Sequence, residues 1–297
     1  MGIRRFMTHW QAWGIQPTNL VLEVGSGGQP CARSDVLCDK FLSDPSERNG
    51  RPLVHDRSLV IGDALNLPFR PNAFDFVISA HLIEHLEDPH QYVSQLTKVA
   101  KRGCIIAPSP LWEKIAGVPT HRWIVSTDGD TLVLTYKQSP LVESEVSNFF
   151  HNICNYHDFR RLAQRYSDYF NITYIWEHEI KYRIEGRPPV GVTGFVSAQI
   201  DRGLDLADHE KTLTENLRRS VKSILSRWVR ARWSRVEMPP LQQLLACPIC
   251  QSRVRLVKAE AIVECCDAGH RFPMFGSVPA MLAELELSSS STGRESN

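Results

Sequence analysis

The sequence predicts an α/β fold, a doubly wound and mostly parallel sheet followed by a small cysteine-based module. Three observations carry this. Five short runs of apolar, often β-branched residues recur through the first 110 positions. They are apolar almost throughout instead of alternating, as strands buried on both faces are. A strand–helix–strand unit joins the fourth run to the fifth, which demands a parallel pairing. Four of the eight cysteines, Cys247, Cys250, Cys265 and Cys266, then fall within twenty residues.

The runs come in order as "NLVLEVGSGG" (19–28), "DVLCDKF" (35–41), "LVIGDALNLPF" (59–69), "FDFVISA" (74–80) and "GCIIAPSP" (103–110). Between the last two, Asp88 is the expected N-cap of a helix with Pro89 at its first position, Val93, Leu96 and Val99 on its apolar side, and Gly103 beyond its end. Further on, "WIVSTDGDTLVLTY" (123–136) reads as a hairpin turning at Asp128-Gly129. Residues 149–166 read as helical, and "NITYIWEHEIKYRI" (171–184) as late strands of the main sheet. Residues 204–236 read as one amphipathic helix with Leu213, Leu217, Val221, Ile224 and Trp228 as its stripe. The expected organisation is a main domain over 1–200, a basic amphipathic linker helix over 201–240, a compact module over 241–285 and a disordered tail over 286–297.

Hydrophobic content of 42% and charged content of 23% over 297 residues suit a folded chain of one full domain and something smaller. No apolar run is long enough to span a membrane, and the N-terminus lacks a secretory h-region. A cytoplasmic protein is expected. Net charge is +1, but residues 211–235 hold eight Lys/Arg against one Glu. That basic face would suit RNA phosphates or an anionic membrane surface; charge runs are most often solvated faces, here with an apolar stripe packed on the main domain.

The chemistry begins where the first strand ends, in "EVGSGG". Ligands of open α/β sheets sit beyond the carboxyl ends of the strands, and glycines there let backbone approach a ligand. Asp39, after the second strand, offers the two acceptor oxygens that a ribose diol needs. Glu23 places a carboxylate where a dinucleotide enzyme would hold pyrophosphate. A carboxylate repels phosphate and suits an ammonium group, which points to S-adenosylmethionine. "EVGSGG", "CDKF", "GDALNLPF" and "FDFVISAHLIEHLEDP", in this order, resemble the Rossmann-like core of the class I S-adenosylmethionine-dependent methyltransferases, particularly those acting on small molecules. The resemblance covers residues 20–110. It implies a cofactor site formed by Glu23, Gly25, Ser26, Gly27, Asp39, Lys40, Asp63, Ala64 and Ala80. One departure stands out: only ten residues, Gly25 to Ser34, separate the first two strands, where a crossover usually takes about a dozen or more. The first helix is therefore expected to be a single turn or missing.

"AHLIEHLEDP" (80–89) contains H-x-x-E-H, the pattern of an inverted zinc-peptidase helix. In this chain it follows directly on a buried strand, where the methyltransferase family begins the helix after strand four, so the peptidase reading is set aside. The resemblance places these residues between cofactor and acceptor. Methyl transfer chiefly needs a nucleophile held in line with the methyl group, and a base only for a hydroxyl or protonated amine. His81 is the first candidate base, with His85 and His121 (in "PTHRW", 119–123) the others; the alternative for His85 is a buried packing role, and for His121 an ordinary surface loop.

"CPIC" (247–250) and "CCDAGHRF" (265–272) give Cys-x2-Cys and Cys-x3-His spacings that fit a closed tetrahedral Zn2+ site. Cys247, Cys250, Cys266 and His270 form the expected set, with Cys265 a spare or alternative. A module of about forty-five residues has too little core to fold without such a staple. Residues 241–285 resemble the small zinc-ribbon activator subunit of tRNA, rRNA and release-factor methyltransferases, which implies an accessory and not a catalytic role. The expected function is methyl transfer to a small molecule or glycan precursor. RNA methylation with the ribbon and basic helix as substrate-binding accessories, and a non-catalytic zinc-ribbon scaffold, are the alternatives.

Overall fold

The computed structural model describes residues 9–42, 53–138, 144–153, 156–186 and 211–287. The chain divides into two compact units, one of residues 16–79, 88–103 and 234–297, the other of residues 1–15, 80–87 and 104–233.

In the unit that starts at residue 16, β1 (Val21–Val24), β2 (Val36–Asp39), β3 (Ser58–Gly62) and β4 (Phe76–Ala80) run parallel in the order β3-β2-β1-β4. Every residue of β1 and β2 is buried, hence the unbroken apolar runs. The order reverses at β1, the switch point beyond which α/β sheets take their ligands. Gly62 closes β3 because nothing larger fits: an added Cβ would stand 2.8 Å from the ring of Pro68. Helix α1 (Pro89–Val99) starts as expected, with the Asp88 carboxylate accepting from the Gln91 N–H at 2.9 Å and Tyr92, Val93, Leu96 and Val99 buried.

No helix lies between β1 and β2; turns make the connection. Buried charge holds it in place. The Arg33 guanidinium pairs with Asp35 at 2.7 Å, both side chains almost fully shielded, and donates to the Gln16, Pro17 and Asn19 carbonyls. Asp35 in turn accepts the Val21 N–H at 3.0 Å. Burial raises the Asp35 carboxyl above its usual range, against the pull of Arg33. Removing one partner of a buried pair strands the other, at about 3–5 kcal/mol. Arg33→Met is therefore expected to lower unfolding stability by about that amount, read from the urea midpoint at unchanged slope.

The C-terminal module belongs to the same unit. Strands β10 (Val254–Val257), β11 (Ile262–Cys265), β12 (Arg271–Phe275) and β13 (Val278–Met281) form an antiparallel meander, and β13 then pairs parallel to β3, Ala280 with Ile61 and Met281 with Gly62. Ala280 and Leu282 share one core cluster with Leu37, Leu53, Leu59 and Ile61. The ribbon thus covers an edge that would otherwise be an open strand template. The Phe69–Leu245 bridge, the Ala246 N–H on the Pro68 carbonyl at 3.0 Å and the Asn66 amide on the Pro248 carbonyl at 2.8 Å tie its start to the "NLPF" turn after β3.

In the other unit, β5 (Arg102–Pro108) neighbours β8 (Asn171–Glu177), while β6 (Trp123–Asp128) and β7 (Thr131–Tyr136) make the expected hairpin. Asp128 pairs with Thr131, so its two-residue loop is Gly129-Asp130, one position later than read, with Gly129 at φ 58. β9 (Tyr182–Glu185) pairs with β7 and not with the main sheet. Helix α2 (Pro110–Ala116) is capped by Ser109 Oγ, and the helical stretch after it breaks into α3 (Ser144–Ile153) and α4 (His157–Arg165). Helix α5 (Lys211–Trp233) corrects one expectation: Ile224 is 65% and Trp228 51% exposed, with Val221 exposed beside them, while Ser226 and Val229 turn inward. The stripe read from spacing is not the packed face; Leu213 and Leu217 lie outside the side chains described. No helix among the described residues is long and apolar enough to cross a membrane.

Candidate functional site

Three clusters carry chemistry, the first of them the loop after β1. The Gly25 and Ser26 N–H groups both donate to the Cys38 carbonyl, at 2.9 and 3.2 Å, and the Gly27 N–H donates to Asp39 Oδ2 at 2.8 Å. Gly25 and Gly27 stand at φ 71 and 54, where a side chain would be strained. Asp39 also accepts the Phe41 N–H at 3.1 Å. Lys40 and Asp63 form an ion pair at 2.7 Å, partly exposed, and Asp63 caps its own turn through the Leu65 N–H. Ala64 is buried beside it. The ends of β1, β2 and β3 are thus stitched together, with the buried Ser26 hydroxyl lacking a partner among the described residues.

Glu23 is the third residue of β1. It is 4% exposed, and its carboxylate accepts the Cys31 N–H, at 2.8 and 3.1 Å on its two oxygens, and the Ser34 hydroxyl. Those partners lie in the short β1–β2 connection. Glu23 thereby braces the short connection between β1 and β2.

The second cluster lies in the other unit, after Ala80. His81 takes φ 55, a conformation that costs a non-glycine residue free energy and recurs at functional sites; its N–H is held by the Ile106 carbonyl at 2.8 Å. A single 3-10 turn, Ile83–His85, follows. The strand opposite pins it: the Arg122 N–H donates to the Glu84 carbonyl and Trp123 Nε1 to the Leu86 carbonyl, both at 2.7 Å. Glu84, His85 and His121 thereby bring ligand-capable atoms within 4.8 Å of one another. The rings of His85 and His121 meet edge to face at 4.6 Å. Two residues that the sequence does not advertise set His121. Its Nδ1 bonds Glu113, and Lys137 Nζ secures the other oxygen of Glu113 at 3.1 Å and the Val118 carbonyl at 2.6 Å.

Electrostatics in this cluster favour an ionised Glu84 beside a neutral His85. Burial is the largest influence on Glu84 and opposes ionisation, but His81, His85 and His121 together outweigh it and hold the carboxyl below its usual range. Burial pushes the His85 imidazole down, against the attraction of Glu84. The three predicted histidines are brought together here, His85 and His121 in contact and His81 at the exposed rim, 3.6 Å from Glu84.

The third cluster is the cysteine module. Cys247, Cys250, Cys265 and His270 bring their ligand atoms within 4.8 Å of one another. His270 Nδ1 lies 3.5 Å from Cys247 Sγ and 3.8 Å from Cys250 Sγ, and Cys250 and Cys265 stand 3.4 Å apart. Cys265, not Cys266, completes the set. Side chains alternate along β11, so Cys265 turns inward with Val263 and Cys266 is exposed. The set fits a zinc ion in more than composition. The Ala268 N–H reaches Cys265 Sγ at 3.5 Å. His270 Nε2 faces Glu286 at 3.9 Å, the outer carboxylate that orients metal-bound imidazoles. Hydrogen bonds from Ser252 lower Cys250 to about 6, whereas burial raises Cys247 to about 12. For zinc held by this set, Cys265→Ser is expected to lower the metal content per chain measured after gel filtration, and Cys266→Ser to leave it unchanged.

Comparison with known proteins agrees with the first cluster. Residues 22–107 match the family model described as a methyltransferase domain. The chain is 43% identical over 103 residues to ajmaline N-methyltransferase of Rauvolfia serpentina, covering 31% of this chain and 35% of that protein. Norajmaline N-methyltransferase of the same plant is 39% identical over 114 residues, covering 34% of this chain and 39% of that protein. The chain therefore spans little more than a third of the length of these relatives. Among solved structures, a chain in the complex between the Haloferax volcanii Trm112 methyltransferase activator and a methyltransferase aligns with 14% identity and a TM-score of 0.34, over 59% of this chain and 91% of that one.

Proposed function

We propose that the chain is an S-adenosylmethionine-dependent methyltransferase acting on a small molecule, with a structural zinc ribbon fused at its C-terminus. The observation that carries this reading is the stitched loop of Gly25–Gly27 on Asp39, lying inside a segment that matches a methyltransferase domain. Asp39 takes the ribose hydroxyls in this reading, the glycine loop lies along the methionine moiety, and Lys40, Asp63 and Ala64 complete the cofactor's surroundings in this unit. Bound there, S-adenosylmethionine supplies an electrophilic methyl group and its own leaving group.

The chain's own task is then positioning and proton transfer. His81, exposed at the rim, takes the acceptor proton; His85 and His121 line the acceptor side of the site, with the Glu113–Lys137 pair fixing the ring of His121. That two relatives are named as N-methyltransferases of alkaloids supports a small amine as the first class to try. The proposed organisation is a methyltransferase domain over 1–200, a linker helix over 201–240, a ribbon over 241–285 and a tail over 286–297, with Cys247, Cys250, Cys265 and His270 holding zinc. The RNA alternative rests on the charge of residues 211–235 and on the resemblance of residues 241–285 to a methyltransferase activator.

The test is transfer of label from S-adenosylmethionine to panels of amines, phenols and bulk RNA at two salt concentrations. Turnover on a small molecule with little salt dependence supports the reading. Turnover on RNA alone, collapsing with salt, replaces it with the nucleic-acid alternative.

A further inference from the structure

We propose that Glu84, His85 and His121 form a second metal site, for a divalent transition ion of the zinc–iron class, at which the acceptor is held. The site is distinct from the cysteine cluster and lies in the other compact unit.

The observation that demands an explanation is Glu84. It is 1% exposed, and neither of its carboxylate oxygens has a hydrogen-bond partner among the described residues. A buried carboxylate facing the His81 ring at 3.6 Å, beyond hydrogen-bond reach, is a costly arrangement for a fold to keep. What faces it is chemically specific. His85 Nδ1 is likewise buried and without a partner, while His85 bonds the Thr120 backbone. His121 has its Nδ1 turned to Glu113, which leaves Nε2 as its remaining ligand atom. A carboxylate on the far nitrogen is the usual way a protein fixes the tautomer and raises the basicity of a metal-bound imidazole. Here Lys137 in turn fixes that carboxylate.

Two imidazoles and one carboxylate, with ligand atoms within 4.8 Å of one another, are the donor set of ions that keep open positions for exchange. The His81 side chain, 54% exposed and 3.6 Å from Glu84, marks the side open to solvent. An incoming hydroxyl would enter there, coordinate through its oxygen and pass its proton to His81 more readily than a free hydroxyl does, as a metal-bound water loses its proton. The H-x-x-E-H pattern is on this reading a metal motif after all: Glu84 serves as ligand, and His121, from a distant loop, supplies what His81 would in a peptidase. The acceptor part of the inference rests on the proposed methyl transfer; the metal site does not.

The test uses the full-length chain, purified reduced and loaded with Co2+ or Zn2+. Metal analysis should return two equivalents per chain. The second should show nitrogen and oxygen ligation without sulfur by X-ray absorption, a readout that needs no variant. Glu84→Gln, which keeps the shape of the side chain, should lower the content to one equivalent and leave thiolate–cobalt absorption from the ribbon intact. A single equivalent in the wild type at every concentration of Zn2+, Co2+, Fe2+ or Mn2+ overturns the proposal, as does a second equivalent that survives in Glu84→Gln. S-adenosylhomocysteine titration of the same samples separates the two readings. Binding with one metal removes only the second site, and two metals without binding remove only the methyltransferase assignment.

Discussion

Asp39→Ala is expected to abolish measurable binding of S-adenosylhomocysteine that the wild type binds in the micromolar range. The substitution acts twice. It removes the two oxygens proposed to take the ribose hydroxyls, and hydrogen bonds to a charged group are worth about 1.5–3 kcal/mol each. Two such bonds correspond to a loss on the order of a hundredfold or more in affinity. It also frees the Gly27 N–H, held at 2.8 Å, and the Phe41 N–H, held at 3.1 Å. No other carboxylate replaces Asp39 there, because Glu23 is engaged with Cys31 and Ser34. The Asp39→Asn variant separates the two effects. It keeps one acceptor oxygen for the loop and loses the charge, so it should retain the fold and bind weakly. Calorimetric titration of all three proteins decides. If the folded wild type gives no heat, the methyltransferase reading fails and a zinc-ribbon scaffold is left; if all three bind alike, the cofactor does not use the carboxylate after β2.

Much of the fold was legible because its signals are local. The apolar runs became β1 to β5, and Asp88-Pro89 opened α1 where a capping residue and an N1 proline should. The ten-residue count between β1 and β2 excluded a helix, and the structure has none. What escaped was set by partners distant in the chain. Spacing could not distinguish Cys265 from Cys266, because the choice depends on which face of β11 turns inward. Periodicity found a stripe on α5, but the helix buries Ser226 and Val229 instead, since an apolar repeat says nothing about which side meets the core. Glu113 and Lys137 carried no signal at all: each is an ordinary charged residue until α2 and the strand after the hairpin turn bring them to His121. The partners of Glu23 in the loop, Cys31 and Ser34, likewise became visible only with the fold.

The largest effect expected from the proposed zinc site is that of removing its metal. A structural zinc contributes about 10–16 kcal/mol to the folding of isolated finger peptides, as much as the whole stability of a typical domain, about 5–15 kcal/mol. The ribbon cannot fall silently, because β13 is the edge neighbour of β3 and Ala280 and Leu282 belong to the core shared with Leu37 and Ile61. A strong chelator under reducing conditions is therefore expected to unfold the four ribbon strands and bare the "SLVIG" edge of β3, whose open N–H and C=O groups then recruit other copies. The readouts are metal content, loss of strand signal in circular dichroism and growth of light scattering, in that order in time. Ala280→Asp distinguishes the metal from the packing it supports: with zinc retained, a charge in the shared core should loosen β13 from β3 and reproduce the scattering without metal loss. A chelated chain that stays monodisperse and still binds S-adenosylhomocysteine would show that β3 tolerates an open edge, and that the ribbon serves something other than the sheet it extends.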